Sequence, residues 1–389
     1  MLSVNPFVSA VEAPPIAEAW RWVQEREFPA DKPLIDLCQA VPDYPPAKEL
    51  SAYLAEQVNA YDTARYTPIP GVPELRTALA VRMTDLYGGS VRPAEVQITA
   101  GCNQAFVIAV MTLAKAGDNI ILPVPWYFNH KMTLDMLGIE ARPLPCRPER
   151  GLVPDPADAK RLIDERTKAL VLITPNNPTG AITPPDTIAA FHDLCAGRGI
   201  HFLLDETYRD FPDSDAAPHD LFRRPDWGRT LVHLYSFSKV FSLAGYRVGA
   251  IVAGPELLEQ AAKVLDCLAI CAPHVGQKAA IFGLENLNGW VAARRADIAA
   301  RVVAFKGAMG DGRTGYEIAS IGAYFAFVRH PFAGRPAMEV ARELADRHNI
   351  LCLPGPMFGP GQDAYLRFAF ANVDAAMMPE IARRLAAKE

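Results

Sequence analysis

Short apolar runs alternate with longer amphipathic stretches through the middle of this 389-residue chain. Six of the runs have the length and composition of buried strands, namely residues 96–100, 119–123, 168–174, 200–205, 230–236 and 248–253. Between them, apolar residues recur at helical spacing over residues 104–113, 127–137 and 187–198. This alternation of strand and helix predicts an α/β fold, with a largely parallel sheet covered by helices on both faces.

The last hundred residues follow a different pattern. They consist of a helical stretch at 283–309, strand-like runs at 323–329 and 366–371, a helix at 335–348 and a final helix from Asp374. We interpret this order as a second, smaller α+β domain. The opening forty-odd residues are too few to form a core alone, so we expect them to join it.

Composition and charge exclude several classes of protein. Half of the residues are hydrophobic, 21% are charged and the net charge is −5, which argues against disorder and gives no electrostatic basis for binding nucleic acid or a membrane surface. Since no run of about 18 apolar residues occurs, we predict no transmembrane helix. The cysteines and histidines lack the spacing of metal ligands, so we expect no metal. Scattered cysteines, and the absence of a cation before Arg21, favour a cytoplasmic protein without a secretory signal.

Four polar clusters follow the predicted strands. They are TPNNPTG at 174–180, LDETY at 204–208, SFSK at 236–239 continued by GYRVG at 245–249, and YLRF at 365–368. Each is ambiguous by itself, because the first fits a turn, the second a helix cap and the third a solvated loop. The fourth contains a single arginine, Arg367, which fits a salt bridge as well as a contact with a ligand.

In this order and spacing, the four clusters resemble the class I and II aminotransferases, the fold type I enzymes of the aspartate aminotransferase superfamily that use pyridoxal 5′-phosphate (PLP). The resemblance extends from about Leu34 to Arg367. It implies a large PLP-binding domain, residues 46–284, with a mostly parallel seven-stranded sheet sandwiched by helices. Residues 1–45 and 285–389, from both chain ends, would form the small α+β domain.

The resemblance also implies the roles of the catalytic residues. Lys239 would hold the PLP aldehyde as a Schiff base, and its freed amine would then move the substrate proton. Asp205 would keep a proton on the pyridine nitrogen, which electron withdrawal into the ring requires. Tyr208 and Asn177 match the residues that hydrogen-bond the phenolic oxygen of the cofactor, and Asn177 would also face the substrate.

The phosphate of PLP needs a cation and several fixed donors. The matching positions are Ser236, Ser238, Arg247 and the backbone N–H groups of Gly101, Cys102 and Asn103. Relatives commonly carry a serine or a small residue at position 102, so Cys102 is expected to contribute backbone contacts or packing, without the hydroxyl. Tyr66 resembles the tyrosine that reaches the phosphate of a neighbouring subunit, which implies a homodimer.

Recognition of the substrate is less defined. Arg367 resembles the arginine that clamps the α-carboxylate, and a planar guanidinium fits that group. Tyr127, or alternatively Trp126, would stack on the cofactor ring, and Trp126 is also a candidate substrate contact. Ala40 replaces a glycine that relatives often have near the substrate. No second arginine is identified for a dicarboxylate, and Trp126, Tyr127 and Val41 favour apolar or aromatic amino donors.

The leading hypothesis is therefore a transaminase that exchanges an amino group between an L-amino acid and a 2-oxo acid. A PLP-dependent β-lyase, such as a C–S lyase, or another α-carbanion reaction would use the same electron sink and remains open. A non-catalytic sensor module of a transcription regulator is the third possibility. It is disfavoured because residues 1–33 are too short and too acidic for a winged helix-turn-helix domain.

Overall fold

The computed structural model describes residues 4–310 and 312–386. Its strands are β1 (Ile35–Asp36), β2 (Val96–Thr99), β3 (Asn119–Val124), β4 (Glu140–Pro145), β5 (Thr167–Ile173), β6 (His201–Asp205), β7 (Leu231–Ser236), β8 (Gly249–Val252), β9 (Glu317–Gly322), β10 (Phe325–Arg329), β11 (Ile350–Leu351), β12 (Leu353–Pro354) and β13 (Tyr365–Phe368). Its α-helices are α1 (Pro6–Ser9), α2 (Pro15–Arg21), α3 (Lys48–Val58), α4 (Pro73–Tyr87), α5 (Cys102–Leu113), α6 (Phe128–Met136), α7 (Pro156–Leu162), α8 (Pro185–Arg198), α9 (Phe237–Val240), α10 (Pro255–Ala269), α11 (His274–Asn286), α12 (Asn288–Met309), α13 (Ala337–His348) and α14 (Met378–Ala386).

Seven strands form the central sheet in the order β2-β8-β7-β6-β5-β3-β4. Only β8 runs antiparallel to its neighbours, so the expected mostly parallel seven-stranded sheet is confirmed. The sequence of strand β5 is continuously apolar because both of its faces are buried. Leu170 and Leu172 pack into one hydrophobic cluster, while Val171 and Ile173 pack into another on the opposite face of the sheet. Helices therefore cover both faces.

The structure differs from the sequence-based elements at several places. Strand β4 was not predicted, because an edge strand that is mostly exposed and contains Pro143 and Pro145 lacks a strand pattern. Strand β9 was likewise missed. The single helix predicted at 283–309 is two helices, α11 and α12, which meet at Leu287. Residues 366–371 form only the end of β13 and then a helical turn.

A second, four-stranded antiparallel sheet has the order β12-β13-β10-β9. Next to it, the two chain ends meet where β1 pairs with β11, Ile35 opposite Ile350. This pairing supports our proposal that residues 1–45 and 285–389 form one small domain. Helix α12 joins this region to the rest, because Val291 packs in a cluster of the large sheet and Phe305 in a cluster of the small one.

The carboxyl ends of β5, β6 and β7 meet at one edge of the central sheet, where ligands bind in folds of this kind. Each of these strands ends next to a polar cluster singled out above. Within the described residues, no helix combines the length and the apolar composition needed to cross a membrane.

Candidate active site

A cavity of about 370 Å³ opens at the carboxyl ends of β5, β6 and β7. Twelve of the residues expected at the site line it, namely Ala40, Cys102, Asn103, Tyr127, Asn177, Asp205, Tyr208, Ser236, Ser238, Lys239, Arg247 and Arg367. They come from distant parts of the chain and from both chain halves. Among the expected residues, Gly101, Trp126 and Tyr66 are not part of the lining.

Lys239 lies on the short helix α9, directly after β7. Ser236 caps this helix, because its Oγ accepts a hydrogen bond from the Ser238 backbone N–H at 3.2 Å. The Lys239 amine donates to the carbonyl oxygen of Ala40. Burial, followed by the charges of Arg247 and Arg367, lowers the pKa of Lys239 to about 8. The amine is therefore neutral, and nucleophilic, over a much wider pH range than an exposed lysine.

Asp205 ends β6 and is almost fully buried. Its Oδ1 accepts hydrogen bonds from the backbone N–H and the hydroxyl of Thr207, at 3.0 and 2.7 Å. Its Oδ2 has only a weak thiol contact with Cys102 Sγ at 3.6 Å, together with a nearby ring nitrogen of His130, also at 3.6 Å. Burial raises the pKa of Asp205. This second oxygen can accept a further, charge-assisted hydrogen bond from the cavity.

His130 is a site residue that sequence reasoning missed. It lies on α6, stacked on Phe106 with the ring centroids 3.7 Å apart, and burial lowers its pKa to about 3. A neutral imidazole next to Asp205 can hydrogen-bond the carboxylate without titrating at neutral pH. No motif surrounds His130 in the sequence, and only the packing of α6 against α5 brings it to Asp205.

The loop between β2 and α5 and the segment after α9 form a cationic end of the cavity. Gly101 precedes α5 with φ +85°, and a Cβ there would lie 2.4 Å from Arg247 Nη2. Arg247 itself has φ +51° and is fixed by hydrogen bonds to the carbonyl oxygens of Ala244 and Ala100, at 2.8 and 3.4 Å. The first N–H groups of α5 have no partners within the helix, so this end can bind an anion.

Only one of the two candidate stacking residues reaches the cavity. Tyr127 lines it, and its hydroxyl donates to Asn103 Oδ1 at 3.3 Å. Trp126 faces a neighbouring cavity of about 410 Å³, where Lys131 Nζ lies 5.7 Å from the centre of its ring. Trp126 therefore lies outside the lining of the cavity that contains the other candidate residues.

Arg367 is 1% exposed and lies between two aromatic rings. Its guanidinium carbon is 5.1 Å from the ring centres of both Phe325 and Phe358. The guanidinium donates to Asn177 Oδ1 at 3.1 Å and to the carbonyl oxygen of Cys38. This arrangement fixes the plane of the guanidinium facing the cavity.

Tyr208 is buried against Tyr324 and Phe325, and burial raises its pKa well above the usual value, so it stays a hydroxyl donor. Tyr66 is 77% exposed and therefore lies at the surface of this subunit. Residues that line the cavity but carried no sequence signal include Ile16 and Asn129.

A model of a known protein family matches residues 32–385, and its description is aminotransferase class I and II. Among curated proteins, an aromatic aminotransferase, ISS1, from Arabidopsis thaliana is 29% identical over 90% of this chain and 88% of its own length. An aspartate aminotransferase from Pyrococcus horikoshii is 27% identical over 79% and 78% of the two chains. An arginine–pyruvate transaminase, AruH, from Pseudomonas aeruginosa is 28% identical over 82% and 81%.

Solved structures have the same fold. An aspartate aminotransferase from Thermus thermophilus, solved with maleate, superimposes with a TM-score of 0.89 over 99% of both chains at 23% identity. An aromatic aminotransferase from Pyrococcus horikoshii superimposes with a TM-score of 0.84 over 95% and 97% of the two chains at 22% identity.

Proposed function

The chain belongs to the class I and II aminotransferases, and from this premise we propose that it uses PLP to exchange an amino group between an L-amino acid and a 2-oxo acid. Its family membership confirms the resemblance found in the sequence and the expectation of a transaminase. The observation that carries the proposal is the meeting of Lys239, Asp205 and Arg367 in one cavity.

The residues present fit PLP. Three cations, Lys239, Arg247 and Arg367, face a single carboxylate, Asp205, among the side chains of the cavity. This excess of positive charge matches a dianionic phosphate together with a substrate carboxylate. The Oδ2 of Asp205, whose contacts with Cys102 and His130 are both 3.6 Å long, suits a protonated ring nitrogen, because a pyridinium would supply a charged donor.

When bound, PLP supplies an aldehyde that condenses with amines and a ring that accepts the electron pair of the substrate Cα. Lys239 takes the covalent position, since its depressed pKa keeps a neutral nucleophile available. With its amine free, Lys239 would be the base that moves the proton of the substrate Cα. Asp205 meanwhile holds the proton on the ring nitrogen.

The remaining contacts orient the reactants. Tyr208 and Asn177 would hydrogen-bond the phenolic oxygen, and Tyr127 would cover the face of the ring. Arg247, Ser236, Ser238 and the N-terminus of α5 would hold the phosphate at the cationic end of the cavity. Arg367 binds the α-carboxylate through two parallel N–H groups, which places Cα near Lys239.

Charge limits the choice of substrate. All three cavity cations have roles with the cofactor or the α-carboxylate, so the described lining offers no further cation to a side-chain carboxylate. The rest of the lining is neutral, with Ile16, Val41 and Phe128 among its apolar side chains. We therefore propose amino donors with uncharged, apolar or aromatic side chains. Burying an unpaired charge against this lining would be unfavourable.

A half-reaction screen tests the reaction and the substrate together. The purified protein, loaded with PLP, is mixed with single amino acids and followed by absorbance, and products are identified. Conversion to the amine form, reversed by a 2-oxo acid, supports transamination, whereas release of ammonia and pyruvate would establish β-elimination. Borohydride should fix the cofactor to Lys239, and an adduct on another residue would refute the assignment.

Arg367→Ala should weaken amino-acid binding by about 100-fold, since a charge-assisted bidentate pair is lost, and should leave the PLP dissociation constant within about twofold. The dissociation constants of both ligands measure this. Arg301→Ala is the matched control, because Arg301 is equally buried but pairs with Asp43 and Asp297 outside the cavity. Equal losses for amino acid and cofactor would contradict the clamp.

A further inference from the structure

Glu206 directly follows Asp205 in the chain, yet its side chain is fully buried and lies outside the cavity. One of its oxygens, Oε2, accepts hydrogen bonds from three side chains. The donors are the Tyr87 hydroxyl, His219 Nε2 at 3.2 Å and His233 Nε2 at 2.8 Å. Its other oxygen, Oε1, has no hydrogen-bond partner in the described part of the chain.

The three donors come from separate parts of the fold. Tyr87 ends α4, His219 lies in the loop after β6, and His233 lies within β7. Burial lowers the pKa of His233 to about 4, so it is a neutral donor at neutral pH. Burial alone would raise the pKa of Glu206, and the hydrogen bonds from the two histidines outweigh this and keep Glu206 ionised.

The network continues around the Glu206 carboxylate. Arg209 Nη1 donates to the Tyr87 hydroxyl at 3.2 Å, and its guanidinium carbon lies 3.7 Å from the centre of the Tyr235 ring. The Tyr235 hydroxyl donates to Asp210 Oδ2 at 2.8 Å. Buried ionic networks of this kind can often be replaced by apolar residues without loss of stability. Stability alone therefore does not explain a carboxylate at this position.

The position of Glu206 connects the two strands that hold opposite ends of the proposed cofactor site. The backbone N–H of Glu206 donates to the carbonyl oxygen of Leu234 at 3.0 Å, and its side chain accepts a hydrogen bond from His233. Both hydrogen bonds attach Glu206 to β7. Strand β7 then leads to Ser236 and Lys239. On its other side, Glu206 is joined to Thr207, which supplies both hydrogen bonds to Asp205 Oδ1.

We propose that Glu206 is a positioning residue that fixes the end of β6 against β7, so that Asp205 and Lys239 keep the separation that one PLP molecule spans. This inference rests on the proposed function. Its physical basis is that three donors on one buried carboxylate oxygen leave the backbone at 206 almost no freedom. Displacement of this residue would move Thr207 and, with it, Asp205 Oδ2 away from the ring nitrogen.

The test is Glu206→Gln, which keeps the shape of the side chain and removes its charge. We expect PLP to bind about tenfold more weakly or worse, since a small misplacement in such a site is costly. In enzyme reconstituted with PLP labelled with ¹⁵N in the ring, the ring resonance should move towards that of the unprotonated nitrogen. A purely structural role would lower the free energy of unfolding of the apoenzyme and change neither of these quantities.

Two further variants make the result decisive. Glu95→Gln is the matched control, because Glu95 is also buried and accepts the Arg92 backbone N–H, but at the start of β2. Tyr87→Phe removes a single donor and replaces Glu206→Gln if that variant does not fold. Wild-type PLP affinity and an unchanged ring resonance in the folded variant overturn the inference. A wild-type protein that forms no adduct on Lys239 refutes the proposed function instead.

Discussion

The amine of Lys239 is buried in the field of two guanidinium groups, those of Arg247 and Arg367. Burial and like charge both disfavour its protonated form. The reactivity of Lys239 therefore depends on two arginines that are distant from each other in the sequence. The neutral fraction rises as pH increases through the pKa. With that pKa at about 8, the reactive form appears well below the ordinary range of a lysine.

The pH dependence of covalent bond formation tests this environment. In the apoenzyme, the rate of imine formation with pyridoxal, which lacks the phosphate, should reach half its maximum near pH 8 and level off above it. Stopped-flow absorbance measures the rate, and a blocked lysine peptide provides the unperturbed reference. Arg247→Gln should move the midpoint upwards by removing a like charge, and an unchanged midpoint would contradict this account.

Residues in motifs could be predicted from the sequence, and residues without motifs could not. Asp205, Lys239 and Arg367 were found because the family motifs fix them in the chain, and all three line the cavity. His130 was missed, because its proximity to Asp205 depends on the packing of α6. The choice between Trp126 and Tyr127 was equally out of reach, since only the rotation at the start of α6 separates them.

At the scale of elements, the turn between β2 and α5 depends on the absence of a side chain. Gly101 has the left-handed φ that glycine tolerates, and its open space is filled by the guanidinium of Arg247. Gly117 has a similar φ of +89°, but a Cβ there would meet nothing within 4 Å. An added side chain would therefore be strained by the backbone at both positions, but only at Gly101 would it also meet a neighbouring residue.

Gly101→Ala and Gly117→Ala separate these two effects. Both should lower the free energy of unfolding, because alanine is strained at such φ values. Only Gly101→Ala should displace Arg247 and weaken PLP binding by about tenfold, equivalent to about 1.4 kcal/mol. Cofactor titration measures the affinity, and equal affinities for the two variants would show that Arg247 is not held through Gly101.

Element prediction from the sequence was good for the buried strands and poor at the edges. The runs that became β5 and β6 are apolar because both faces of the sheet are covered. Strand β4 pairs with only one neighbour in the described part of the chain, and its charged residues and prolines hide it. The boundary between α11 and α12 at Leu287 was missed because the helical pattern continues across a single non-helical residue.

At the scale of the whole molecule, the exposed Tyr66 has no contact with the cavity of its own subunit. We propose a homodimer in which Tyr66 completes the phosphate site of the partner, as the family resemblance implies. Neighbouring exposed side chains of similar character, Val58 and Tyr61, are 65% and 82% exposed. Apolar surface of this kind is suited to an interface between subunits.

Mixing two defective variants tests the shared site. Lys239→Ala and Tyr66→Ala subunits, unfolded together and refolded as a 1:1 mixture, should give hybrid dimers that each contain one complete site. About a quarter of all sites would then be intact. The activity of the mixture should therefore reach about a quarter of the wild-type value and exceed that of either variant alone. Sedimentation confirms the dimer, and no gain on mixing would show that each subunit is self-sufficient.

Arg367 already has hydrogen-bond partners before any substrate arrives, namely Asn177 and the carbonyl oxygen of Cys38. These two bonds use two of the five guanidinium N–H groups, and Nε has no hydrogen-bond partner among the described residues, so an incoming carboxylate can pair with open donors while both partners stay in place. The arginine is thus oriented in advance, and the cost of ordering it is not added when the substrate binds. The same two contacts hold the guanidinium in place during the interval of a two-step reaction in which one acid has left and the next has not yet bound.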